Sequence, residues 1–179
     1  MENKILKRGI VILTLVLLLM SVSVVSADSN ATSILTLSNS GITITYPSDW
    51  GNSKAVSADS IMAISKLNSI DSFGVGQVNI NVEKRPIEGD FYTFVNSTYE
   101  SMEKDPDYEI VSSGSLVLEG NDALEYIYTS NVNGVQKQHK AVWFEKGGQA
   151  YVLLYSAPVG QFEDNLYVFE YILSDIQIT

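Results

Sequence analysis

Cysteine is absent from the chain. Without a thiol there is no disulfide, no thiolate zinc site, no CxxC redox pair and no cysteine nucleophile. The lipoprotein route, which acylates a cysteine, is closed as well. Histidine occurs once, as His139, so no site can draw two histidines from one chain. A Ser-His-Asp triad would have to use His139. That residue stands in "VQKQHKAVWFE", beside Gln138 and Lys140 in the polar half of a strand, and no nucleophile-elbow pattern occurs anywhere. It reads as a partly solvated strand histidine. Basic side chains are also scarce, 11 against 21 acidic, for a formal charge of −10. That balance repels phosphate backbones, and no basic stripe offsets it, so nucleic acid is not an expected partner.

What is present begins with an export signature. Lys4, Lys7 and Arg8 precede an apolar run from Ile10 to Met20, and Val25 and Ala27 occupy the −3 and −1 positions of a cleavage site before Asp28. Residues 1–27 therefore read as a signal peptide or as an uncleaved N-terminal membrane anchor, since Gly9 to Ala27 is long enough to span a bilayer. Either way the rest of the chain is extracytoplasmic, secreted or held at the outer face of the cell membrane. Its loss would remove three basic residues and one acidic residue, leaving a still more acidic protein whose charge serves solubility. Residues 28–33 form a polar linker, and 34–179 form one domain large enough to be held by its own core.

Strand signals open that domain. "ILTL" (Ile34 to Leu37) and "ITITY" (Ile42 to Tyr46) flank the turn chemistry of "SNSG". "IMAISKL" follows, and then "GVGQVNINVEKR", where Val78, Ile80 and Val82 alternate with Gln77, Asn79, Asn81 and Glu83, so that one face is expected to be buried. The glycines there precede strand residues rather than a helix and build no phosphate cradle. From Asp90, a plausible N-cap, Phe91, Phe94, Val95, Thr98 and Met102 recur at helical spacing until Lys104-Asp105-Pro106. Four strand-like segments come next: "YEIVSSGSLVLEG", "DALEYIYTSNV", "VQKQHKAVWFEKG" and "QAYVLLYSA". Asn133-Gly134 and Gly147-Gly148 are hairpin turns between them. A last helix, about Gln161 to Leu173, carries Phe162, Leu166, Phe169 and Ile172 on one face, and "DIQI" is a further edge strand. The order is four strands, helix, four strands, helix. It predicts an α+β fold with helices packed on an antiparallel sheet.

The stretch "GITITYPSDWG" is a strand ending in an aromatic, then Pro47, polar residues and Trp50. Together with "YVLLYSAP", a helix opening on an aromatic, and the closing "ILSDIQI", it resembles the PsbP-like superfamily. That superfamily includes the PsbP extrinsic proteins, the Mog-type Ran-binding proteins and the DcrB-like lipoproteins. The resemblance covers nearly all of Ile34 to Ile178. It implies an α-β-α sandwich in which Pro47 ends a strand and Trp50 covers an end of the core, with a partner needed for its N–H. It also implies accessory and binding roles without a shared catalytic centre, and hence a protein partner in a membrane or envelope complex.

The densest carboxylates are Glu100, Glu103, Asp105, Asp107 and Glu109. They could hold a hard cation such as calcium or manganese through oxygen ligands, although the spacing is not that of an EF-hand. The bland alternative is a solvated helix end. Glu163 and Asp164 suit the first turn of the last helix. Tyr126 with Tyr128, and Tyr151 with Tyr155, share strand faces and read as core margin rather than partner surface. Asn30 and Asn96 open sequons and are candidate glycosylation sites. No acid/base pair of carboxylates suggests a hydrolase. The sequence therefore predicts a non-catalytic extracytoplasmic PsbP-like module that binds or helps assemble a membrane or envelope complex. The alternative is a divalent-cation or small-ligand binding protein.

Overall fold

The computed structural model describes residues 33–55, 57–87 and 89–179. The N-terminal segment, 1–27, and the sequon at Asn30 lie outside the described residues. Among the described residues, no helix is long and apolar enough to cross a membrane.

Five strands precede the first helix, not four. They are β1 (Ile34–Asn39), β2 (Ile42–Pro47), β3 (Trp50–Asn52), β4 (Ser60–Lys66) and β5 (Asn79–Pro86). The extra one is β3. Pro47 closes β2, the chain turns, and Trp50 to Asn52 pair with Lys66 to Ile64 of β4. Helix α1 (Phe91–Met102) follows, with Asp90 as N-cap, its carboxylate accepting from the Thr93 N–H at 2.8 Å. It ends at Met102, two residues before Lys104, with Glu103 as its C-cap. Next come β6 (Glu109–Leu118), β7 (Asn121–Val132), β8 (Val135–Lys146) and β9 (Gln149–Pro158), then α2 (Phe162–Asp175) and β10 (Gln177–Ile178).

Seven strands form one antiparallel sheet in the order β3-β4-β5-β9-β8-β7-β6, and β1-β2-β10 form a small second sheet. Strand parity divides the core in two. Phe144, Leu153 and Tyr155 point to one face, where they meet α2 and the inward residues of the small sheet, Ile42, Ile44 and Tyr46. Ala141, Trp143 and Val152 point to the other, where Phe91, Val95 and Tyr99 of α1 cover them. Trp50 is 1% exposed and belongs to the first of these clusters. Among the described residues its indole N–H finds no acceptor.

Two expectations about burial need correction. The second face of β5 is not solvated: Asn81 and Glu83 are buried along with Val82 and Ile80, because β5 lies inside the sheet between β4 and β9. His139 is not partly solvated either. It is 6% exposed, since β8 is enclosed by β7 and β9 and the Tyr128 ring lies against the imidazole. Of the two tyrosine pairs, Tyr128, Tyr151 and Tyr155 are buried and Tyr126 is half-buried at the core margin: Tyr99 stacks on Tyr126 at 3.7 Å and meets Tyr128 edge-on, while the Tyr155 hydroxyl donates to the Phe162 carbonyl at 2.7 Å.

Candidate functional site

The α1 face of the large sheet is longer than its cover. A 12-residue helix spans about 18 Å, whereas a 12-residue strand such as β8 spans about 40 Å. Past the part that α1 covers, the face remains concave and turns polar. There Asn79, Asn81 and Glu83 of β5, Leu154 and Ser156 of β9, and Lys137 and His139 of β8 line a cavity of about 250 Å³. Val132 and Ser57 stand at its margin. Most of the buried polar side chains among the described residues are gathered here rather than scattered, which is uncommon for a mere sheet face.

His139 is held at both ring nitrogens. Its Nδ1 lies 2.7 Å from the Ser156 hydroxyl and its Nε2 lies 3.0 Å from the Ser130 hydroxyl. Burial, and then the nearby charge of Lys137, push its pKa down to about 4, so the ring is neutral at pH 7. The Ser156–His139 pair has the separation of a nucleophile and its base. Yet the group behind the ring is a second serine rather than a carboxylate, and an imidazole this acidic is a poor proton acceptor. The arrangement fixes the ring and does not activate the hydroxyl.

The two buried lysines of β8 differ in kind. Lys140 faces away from the cavity and bridges Glu125 at 2.8 Å and Glu170 at 2.6 Å. Burial alone would lower its pKa, but those two carboxylates raise it. Lys137 is 6% exposed and has no carboxylate within ion-pair distance among the described residues. It donates to one backbone oxygen, that of Gln77, at 3.1 Å, and burial lowers its pKa. At the opposite end, Arg85 donates to the Glu83 Oε2 through both Nε and Nη2, bridges Asp59 at 3.4 Å, and lies 5.6 Å from the Trp143 ring. The buried Asn81 amide makes no hydrogen bond to the protein among the described residues.

The carboxylates picked out from the sequence lie elsewhere. Glu100, Glu103, Asp105, Asp107 and Glu109 are all exposed, around the end of α1 and the start of β6. Asp105 is occupied in its own turn, accepting from the Asp107 N–H at 2.9 Å. Among the described residues no three His, Asp or Glu side chains converge as a metal site would require. Asn96 is exposed on α1, its amide oxygen 3.2 Å from the Tyr126 hydroxyl. Glu163 and Asp164 sit in the first turn of α2. Of the cavity residues, sequence reasoning singled out only His139, and it read that residue as solvated. Lys137, Asn81 and Ser156 were missed, because polar alternation on a strand looks the same whether it faces water or an internal cavity.

The PsbP-like protein family matches residues 20–177. The chain belongs to the PsbP-like family. The fold is shared with solved structures at low identity. Cyanobacterial PsbP (CyanoP) from Synechocystis sp. aligns with a TM-score of 0.58 at 14% identity, over 86% of this chain and 96% of that one. LpqN of Mycobacterium tuberculosis, involved in cell envelope biogenesis, aligns with a TM-score of 0.56 at 15% identity, over 84% and 92%. A Pseudomonas aeruginosa protein of unknown function, a putative regulator, aligns with a TM-score of 0.52 at 12% identity, over 79% and 94%. No curated protein matches by sequence. In this chain the two helices lie on opposite faces of one antiparallel sheet, and the cavity lies on the α1 face.

Proposed function

We propose that this PsbP-like chain is a non-catalytic extracytoplasmic module that binds, or helps to assemble, a membrane or envelope complex. The observation that carries the reading is family membership along almost the whole chain. The export-type N-terminus and the acidic, cysteine-free composition agree with it. The His139 cluster is consistent with it too, since its groups satisfy one another instead of presenting a reacting atom.

The test is affinity capture of the tagged full-length chain from cross-linked membranes of its own host. A stoichiometric envelope protein in the eluate is the expected result. Recovery of the chain alone, at comparable yield, would overturn the proposal. A second reading, binding of a small ligand, is favoured by one specific feature: the cavity holds a buried ammonium and a buried amide that the protein leaves largely unmatched.

A further inference from the structure

A buried cation is retained only where something offsets the loss of its hydration. Lys140 obeys this rule with two carboxylates; Lys137 has one backbone carbonyl. Among the described residues, two of its three N–H donors thus have no protein partner and can serve whatever occupies the cavity. The neighbouring groups add no negative charge at that end. His139 is neutral, and Asn79 and Ser156 are uncharged. An occupant carrying a single negative charge fits there. A dianion would need a second cation, and Arg85 is already engaged by Glu83 and Asp59.

The far end has the opposite bias. Both hydrogen bonds from Arg85 fall on the Glu83 Oε2, and the other carboxylate oxygen makes none among the described residues. Asn81 lies on the same face of β5, 7% exposed, with its amide unpartnered. Both groups line the cavity. The Glu83 oxygen only accepts and the Asn81 amide oxygen can accept as well, so that end suits a donor. Lys137 pairs across to Pro158 and Asn81 to Leu154, four residues apart on β9 and so about 13 Å along the strand. Between the ends stands the apolar side chain of Leu154, with Val132 at the margin.

We propose that the cavity beside His139 binds a small aliphatic carboxylate with a hydrogen-bond donor at its other end, the carboxylate on the Lys137 ammonium and the donor on Asn81 and Glu83. The volume of about 250 Å³ is below the usual range for drug-sized ligands and suits a molecule of a few carbons. The inference rests on the small-ligand reading and is independent of the accessory-module reading.

The test titrates three probes of equal chain length into isotope-labelled full-length protein in micelles, against a sodium chloride control. The probes are 4-aminobutyrate, butyrate and butylammonium. Backbone amide shifts at Asn81, Lys137, His139 and Ser156 report binding. The expected result is a saturable shift with 4-aminobutyrate, weaker with butyrate and absent with butylammonium. Lys137→Met should weaken 4-aminobutyrate at least tenfold, and Lys104→Met, at an exposed position, should not. Asn81→Ala should also weaken it, which keeps the test decisive if Lys137→Met does not fold. Saturable binding of butylammonium alone would overturn the carboxylate assignment and leave the small-ligand reading standing. Silence from all three probes would overturn both, and so would 4-aminobutyrate shifts that persist unchanged in the Lys137 and Asn81 variants.

Discussion

At the scale of single residues, the lesson of this chain is that partner supply, not residue type, decides what a buried polar group does. Trp143 and Trp50 are both buried, but the Trp143 N–H donates to the Tyr99 hydroxyl at 2.9 Å, whereas that of Trp50 has no acceptor among the described residues. The resemblance implied that Trp50 would cover an end of the core and need a partner for its N–H. It had no means of showing whether an acceptor would be within reach. His139 gives a measurable consequence. Its folded-state pKa, about 4, lies below the ordinary value of 6.5, so the unfolded chain takes up a proton first as pH falls. The stabilisation is therefore complete above pH 6.5 and is lost progressively between 6.5 and about 4, at up to about 1.4 kcal/mol per pH unit. His139→Asn should unfold in urea with a flatter pH dependence across that window than the wild type. Parallel profiles for the two proteins would show that the imidazole is not buried in its neutral form.

At the scale of elements, periodicity and turn chemistry were legible where they are local. The Asp90 cap, the Asn133-Gly134 and Gly147-Gly148 turns, and the apolar runs of β8 and β9 all stand where the sequence puts them. The start of β5 does not. Strand pairing with β9 begins at Asn79 rather than Gly74, because Asp71 collects the N–H groups of Phe73 and Val75 into a loop. That loop brings Gly76 against buried Ser65, and a Cβ on Gly76 would lie 2.2 Å from the Ser65 Cβ. Gly76→Ala must therefore push the loop off β4, at a cost of roughly 1–3 kcal/mol or more, as for other overpacked sites. Gly134→Ala meets nothing within 4 Å, and its cost is only the left-handed backbone, φ 83°, about 1–2 kcal/mol. Urea midpoints should rank wild type, then Gly134→Ala, then Gly76→Ala. The reverse order would mean that the loop before β5 yields freely.

At the scale of the whole molecule, the class of fold was legible because helices alternate with runs of antiparallel strands, while the cavity was not. Its walls come from β5, β8 and β9, and only the strand order brings Asn81 and Lys137 to one concavity. The same assembly separates what the sequence groups. Glu100, Glu103, Asp105, Asp107 and Glu109 are near neighbours in the chain, yet the end of α1 and the turn into β6 set them outward, each exposed. A hard cation needs six or more oxygens around one point, and exposed carboxylates on a curved surface do not provide that. An ion bound to the native state must raise its stability in proportion to occupancy. Millimolar calcium or manganese should therefore leave the melting temperature of the full-length chain where an equal concentration of magnesium leaves it, apart from the general screening of an acidic surface. A rise specific to calcium or manganese, abolished by Asp105→Asn with Asp107→Asn, would mean that the ion itself gathers these side chains, and would favour the cation reading over a solvated helix end.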